Sequence, residues 1–118
     1  MTRKIALLLL FFVLTLGCTA FAEEQLAVHV NEMRVPQMMG VVHNHKGDPV
    51  AGVRVEIIHR ESGHVMGEAK TDDQGRFAYP NLKDGKYNVK VHHNGIAELY
   101  HVHVTTQKAE PELVLKYK

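Results

Sequence analysis

The sequence predicts an all-β fold, a seven- to eight-stranded antiparallel Greek-key β-sandwich preceded by a cleaved signal peptide. Three observations lead to this prediction. Apolar and polar residues alternate over several short segments, which is typical of half-buried strands. Clusters of Gly, Pro, Asn and Asp separate these segments at the spacing of sandwich turns. Beyond the leader, the apolar residues do not recur with the 3.6-residue period of an amphipathic helix.

The first element is the leader, which we assign to residues 1–22. Arg3 and Lys4 give it a basic start, an apolar run follows over 5–16, and a small-x-small cleavage site stands at 20–22. The apolar run is too short to cross a bilayer comfortably, so we expect no membrane span. The chain is therefore predicted to be exported, to the periplasm or out of the cell.

An alternative cleavage precedes Cys18, where Leu-Gly-Cys resembles a bacterial lipoprotein box. Processing there would give an outer-membrane or cell-surface lipoprotein anchored by acylation of Cys18. Cys18 is the only cysteine of the 118-residue chain, so neither cleavage leaves a disulfide. We therefore expect the core alone to stabilise the domain in an oxidising compartment.

The charge balance gives little reason to expect an anionic partner. Loss of Arg3 and Lys4 with the leader reduces the fourteen basic residues to twelve, against thirteen acids, or about −1 with His neutral. A chain this close to neutral has no electrostatic basis for binding nucleic acid or an anionic membrane.

Residues 23–37 are predicted to form an N-terminal strand and linker. Leu26, Val28 and Val30 alternate with more polar residues, and Pro36 then breaks the chain. We place the domain proper at 38–118.

The domain opens with two strands around a turn at Gly47-Asp48-Pro49, in which Pro presets the bend. In the second of these strands, Val53, Val55 and Ile57 share one face. A loop at 61–63 precedes a third strand whose facing the pattern leaves open.

The segment 71–91 carries the strongest local signals. Turn residues at 72–75 lead into a short strand in which Phe77 and Tyr79 share a face. In the next strand Tyr87 begins an alternation of apolar and polar residues. Its spacing from Leu82 and Gly85 is typical of a tyrosine corner, in which the phenol bonds to backbone a few residues upstream.

A two-residue Asn94-Gly95 turn predicts a hairpin that joins this strand to the next. The register places His93 opposite Ile96, Val89 opposite Tyr100, and Tyr87 opposite Val102, so that buried positions face each other. A polar loop and Pro111 precede a last strand, with Leu113, Leu115 and Tyr117 on one face.

This frame resembles the carboxypeptidase regulatory-like domain, a member of the transthyretin-like and starch-binding-like β-sandwiches. The residues that carry the resemblance are Gly40, Val42, Gly47, Pro49, Val50, Gly52, Val53, Val55, Ile57, Thr71, Asp72, Gly75, Phe77, Leu82, Gly85, Tyr87, Val89 and Val91. The resemblance implies a non-catalytic accessory module that binds a protein or a carbohydrate, and it is nearly silent on which.

Nine histidines are the compositional anomaly, and they predict a metal site as the alternative function. His101 and His103 share the outer face of a strand, His92 lies on the same face, and by the family frame His43 also points outward. Imidazole pairs of this kind suit Cu²⁺, Ni²⁺ or Zn²⁺. The third ligand, from His43, His92 or His29, depends on which strands are neighbours.

Three methionines lie near the first of these histidines, at Met33, Met38 and Met39. Thioether with imidazole would favour copper. The competing interpretation is that the histidines are tolerated surface residues and the methionines fill the core. No other cofactor is expected.

Neither an enzyme nor an evident sugar site emerges. After the leader there is no cysteine, and Ser62, the only serine, lies in a predicted loop without a base and a residue to orient it. The aromatic residues Phe77, Tyr79, Tyr87, Tyr100 and Tyr117 all fit core positions, which leaves no aromatic platform for a sugar. The prediction is a non-catalytic module, by default one that binds a protein through its edge strands.

Overall fold

The computed structural model describes residues 25–117, which form eight strands. They are β1 (Gln25–Val35), β2 (Met39–His43), β3 (Arg54–His59), β4 (Val65–Lys70), β5 (Arg76–Ala78), β6 (Gly85–His93), β7 (Ile96–Val104) and β8 (Leu113–Lys116). A five-stranded sheet has the order β1-β7-β6-β3-β4, and a three-stranded sheet the order β5-β2-β8. The predicted all-β sandwich is confirmed. The predicted leader and its two cleavage sites lie outside the described residues.

Both sheets are mixed, whereas the sequence predicts antiparallel pairing throughout. β1 pairs with β7 in parallel, and β2 with β8 in parallel, while the four other pairings are antiparallel. Parallel neighbours need a long crossover between them, and both pairs here are far apart in the chain. Alternation fixes which face of a strand is buried, and it carries no information on the direction of a distant partner.

The core lies between the sheets and is built from alternate residues of each strand. Its fully buried aliphatic side chains include Val35, Val42, Val55, Ile57, Val89, Val91, Val102, Val104, Leu113 and Leu115. Phe77, Tyr87 and Tyr100 are each at most 4% exposed. Met38 is also buried, and Met33 packs against the core. These two methionines therefore fill space between the sheets.

The β6–β7 hairpin has the predicted register. Val89 pairs with Tyr100, Tyr87 with Val102, and His93 with Ile96. Both turn residues adopt positive φ, 45° at Asn94 and 74° at Gly95, which a two-residue hairpin turn of this type requires.

The tyrosine corner is also present. The Tyr87 hydroxyl donates to the Lys83 carbonyl at 2.7 Å, and Leu82 packs against the core beside it. Burial raises the pKa of the Tyr87 hydroxyl, and the nearby Asp84 carboxylate raises it further.

Within the three-stranded sheet, β2 and β8 approach each other closely at Gly40, which pairs with Leu113. An added Cβ at Gly40 would overlap the backbone carbonyl of Leu113, so this position needs a residue without a side chain.

No helix in the described part of the chain is long and apolar enough to span a bilayer.

Candidate binding site

The structure brings together only two of the predicted metal ligands. His101 and His103 lie on the outer face of β7, opposite Asn88 and Lys86 as the hairpin register predicts. His92 pairs with Ala97, four residue pairs further along the same ladder, which is a separation of about 13 Å.

The other predicted ligands lie elsewhere. His43 belongs to the smaller sheet, where it pairs with Lys116. His29 points inward from β1, opposite Tyr100. Within residues 25–117, no three His, Cys, Asp or Glu side chains are placed so that they could hold a metal ion. Metal binding by His101 and His103 stays a prediction.

A network of polar contacts surrounds these two histidines. His101 Nδ1 lies 3.1 Å from Asn88 Oδ1, and the same oxygen accepts a hydrogen bond from Arg60 Nε at 3.2 Å. Arg60 also donates to Glu32 Oε2 at 2.8 Å. This hydrogen bond, with the positive charge of Arg60, lowers the pKa of the Glu32 carboxyl. His103 Nδ1 is buried beside Glu32 Oε1, 3.8 Å away, which is too long for a hydrogen bond.

A buried carboxylate, Glu98, forms a second cluster that the sequence analysis missed. Glu98 is 1% exposed and lies on the inner face of β7. One of its oxygens is 2.7 Å from His29 Nε2 on β1, and the other is 2.8 Å from His93 Nε2 on β6. The carboxylate therefore accepts one imidazole N–H from each neighbouring strand, so burial leaves neither oxygen unsatisfied.

Two tyrosines enclose this Glu98 cluster. The His29 ring stacks on Tyr100 with centroids 4.2 Å apart, and the His93 ring stacks on Tyr117 at 3.6 Å. The Tyr100 hydroxyl is buried and has no hydrogen-bond partner among residues 25–117, and burial, with the Glu98 charge, raises its pKa. The cluster ties β1 and the residue after β8 to the hairpin, which gives it a structural role.

The only serine is placed where catalysis has no support. Ser62 Oγ lies 2.9 Å from His59 Nδ1 in the exposed turn between β3 and β4. Among the described residues, no carboxylate hydrogen bond orients the His59 ring, which packs edge-on against Tyr87. The pair thus lacks the third group of a catalytic triad.

The open side of the sandwich lies between β1 and β8, each of which is the edge strand of its sheet. Two adjoining grooves run along this side. One has a volume of about 510 Å³ and is lined by Val28, His29, Val30, Asn31, Met33, Tyr100, Val114 and Lys116. The other has a volume of about 270 Å³ and is lined by Met33, Arg34, Val35, Glu110, Glu112, Leu113 and Val114. They share Met33 and Val114, and we call them together the edge groove.

The rim of the edge groove is unusually apolar for an exposed surface. Val28 is 49% exposed, Val30 78% and Val114 55%, and Leu26 continues the row at 55%. Scattered exposed apolar residues are ordinary, whereas a row of them along an edge strand is a candidate interaction surface.

The backbone of β1 is available along this row. The Gln25 amide donates to the Gly95 carbonyl at 3.2 Å, so the odd-numbered residues at this end of β1 face β7. Residues alternate sides along a strand, so Leu26 and Val28 direct their N–H and C=O groups away from the sheet. Residues 25–31 contain neither Pro nor Lys, the residues that commonly protect sheet edges.

Comparison with known proteins identifies the sandwich. The family model of the carboxypeptidase regulatory-like domain matches residues 37–115. The chain belongs to the carboxypeptidase regulatory-like domain family. The match confirms the resemblance predicted from the sequence, and the family is a module of a non-catalytic type. A search of curated proteins found no match to the chain.

The family match spans β2 to β8 of the regulatory-like domain, without β1. β1 therefore lies outside the matched frame, and with it one wall of the edge groove and His29 of the Glu98 cluster. The alternating pattern of the matched residues therefore gives no information on the β1 wall of the groove or on the position of His29.

Proposed function

We propose that this chain is an exported, non-catalytic accessory module that binds an extended segment of a partner protein at the free edge of β1. The observation that carries the proposal is the row of exposed apolar residues, Leu26, Val28 and Val30, on an edge whose backbone groups are unpaired in the described structure. Such an edge recognises a partner by adding a strand: backbone hydrogen bonds hold the segment, and alternate side chains select it.

A protein partner fits better than a glycan. Sugar sites of sandwich domains use exposed aromatic rings, and none of the five tyrosine and phenylalanine residues of the described chain is exposed. Phe77, Tyr87 and Tyr100 are buried in the core, Tyr79 packs against it, and Tyr117 stacks on His93.

Support for export comes from the sequence. The basic start, apolar run and small-x-small site of residues 1–22 are those of a signal peptide. The route to the periplasm or cell surface is tested by sequencing the N-terminus of the protein recovered from each compartment. A chain that begins at Cys18 with a blocked N-terminus would show that the protein is a lipoprotein and not a soluble product.

The binding proposal is tested with random dodecapeptides displayed on phage and selected on the mature chain. Enriched peptides should have alternating apolar residues, and a Val28→Lys variant should lose at least tenfold in affinity for them. Val65→Lys is the matched control, because Val65 is also 49% exposed and lies on β4, the opposite edge of the same sheet. Equal losses in the two variants, or none in Val28→Lys, would overturn the proposal.

A further inference from the structure

The edge groove has two walls, each formed by the edge strand of a sheet. Within residues 25–117, the free side of β1 forms a backbone hydrogen bond only at Arg34, whose carbonyl accepts from the Glu110 amide at 2.8 Å. Among the described residues, β1 pairs only with β7 and β8 only with β2. Val28 to Asn31 face Lys116 across the groove, and Val35 faces Leu113 and Glu110, so the two walls run in opposite directions. The β1 wall from Val28 to Val35 is about 23 Å long, and its part before Arg34, from Val28 to Met33, is about 17 Å long, the length of five or six extended residues.

The floor and rim of the groove provide apolar contact along most of this length. Met33 and Val114 lie at its centre, where the two parts of the groove meet. Met adapts its shape to irregular apolar partners, and Val114 is more than half exposed in the structure. An extended segment would bury both, together with Val28 and Val30 on the rim.

The ends of the groove differ in charge. Among residues 25–117, Lys116 is the only Lys, Arg, Asp or Glu that lines the end near Val28. The other end is lined by Glu110 and Glu112 with Arg34. Glu112 is already held by Arg76 at 2.8 Å, whereas neither Lys116 nor Glu110 forms an ion pair within residues 25–117. Within residues 25–117, the groove therefore has Lys116 without an ion pair at one end. At the other end it has Glu110 beside Arg34, and neither of these forms an ion pair among the described residues.

We infer that the partner's segment lies in the edge groove between β1 and β8, contacts both sheets, and has ends of opposite charge. An acidic residue of the segment meets Lys116, a basic residue meets Glu110, and apolar side chains at alternate positions between them pack on Met33 and Val114. This inference rests on the proposed function and narrows it. Strand addition to β1 alone requires neither β8 nor any charge pattern.

The test uses capped, fluorescein-labelled octapeptides of alternating Val and Thr, with binding followed by fluorescence anisotropy. One probe has Asp at one end and Lys at the other, made in both orders so that either strand direction is sampled. A second probe has Lys at both ends. Since exposed charge pairs contribute modestly to affinity, we expect the better order of the first probe to bind the parent chain about threefold or more tighter than the second.

Substitutions on β8 then separate the groove from the edge. Lys116→Glu places a carboxylate without an ion-pair partner at each end, and it should reverse the preference in favour of the probe with two lysines. Val114→Lys should reduce binding of every probe at least tenfold, as Val28→Lys does, whereas Val65→Lys should leave binding unchanged. All four positions are exposed, and a thermal melt of each variant verifies that it folds.

The outcomes distinguish this inference from the proposed function. If Val28→Lys abolishes binding while Val114→Lys and Lys116→Glu have no effect, the proposal of strand addition to β1 is supported. The inference that the segment lies in the edge groove is then overturned. If the octapeptides bind the parent chain and Val28→Lys alike, or do not bind the parent at all, both are overturned. Reversal of preference by Lys116→Glu supports the groove.

Discussion

Replacing Glu98 by Leu should destabilise the domain strongly, although Leu is broadly similar to Glu in size and suits a buried position. The change removes the acceptor of two imidazole N–H groups. His93, whose side chain is 7% exposed, cannot recover a water partner, and an orphaned buried donor costs about 1–3 kcal/mol. His29 is 27% exposed and recovers part of its hydration, so its share is smaller. We expect a total loss of about 2–4 kcal/mol in the free energy of unfolding.

The assay is urea or thermal unfolding followed by far-UV circular dichroism. For a domain of this length, about 1 kcal/mol shifts Tm by roughly 4–8 °C, so the expected drop exceeds 8 °C. Glu68→Leu is the control: Glu68 lies on the sheet surface, 57% exposed, and its pair with Arg54 at 3.3 Å should be worth less than about 1 kcal/mol.

Glu98→Gln sharpens the same prediction. A Gln amide accepts from one imidazole through its oxygen and donates to the other through its nitrogen, if that ring changes tautomer. The Gln variant should therefore retain most of the stability that Leu loses. A Leu variant as stable as the parent, or a Gln variant as unstable as Leu, would show that the two hydrogen bonds do not hold the cluster together.

The remaining predictions concern three other sites. Tyr87→Phe removes the hydroxyl of the tyrosine corner and should cost about 1 kcal/mol in denaturant unfolding, with an unchanged m-value. Metal binding at His101 and His103 predicts Cu²⁺, Ni²⁺ or Zn²⁺ affinity tighter than micromolar in calorimetric titration. Affinity that survives the His101→Ala/His103→Ala double variant excludes this site. Arg60 lowers the pKa of Glu32, so the ion pair stabilises the fold above pH about 4.5, and this contribution is lost as the pH falls further. The Tm gap between the parent and Glu32→Gln should therefore close between pH 7 and pH 3, and a constant gap would contradict the assignment.

The parts of the fold that local pattern determines were predictable. The Asn94-Gly95 turn and the alternation on both sides of it fix the hairpin register, because shifting it by one residue would expose every buried side chain. The tyrosine corner was predictable because it depends only on the local spacing of Leu82, Gly85 and Tyr87.

Features that depend on distant strands were not predictable. Parity placed His43 on the outside of its strand, but it could not say that this strand belongs to the other sheet. His29, a candidate third ligand, lies apart from His101 and His103 because it points inward from β1, opposite Tyr100. Glu98 does carry a signal in the sequence: it stands at a buried parity between Ile96 and Tyr100, and a charged residue there requires partners.

The parallel pairing of β1 with β7 also bears on the order in which the chain assembles. Gln25 meets Ile96, so a ribosome completes the first strand about seventy residues before it makes the partner of that strand. Closing so long a loop costs entropy that a short hairpin avoids, and folds with many distant contacts form slowly. The β6–β7 hairpin should therefore form early and act as a template. The apolar β1 should stay unpaired until it pairs with β7.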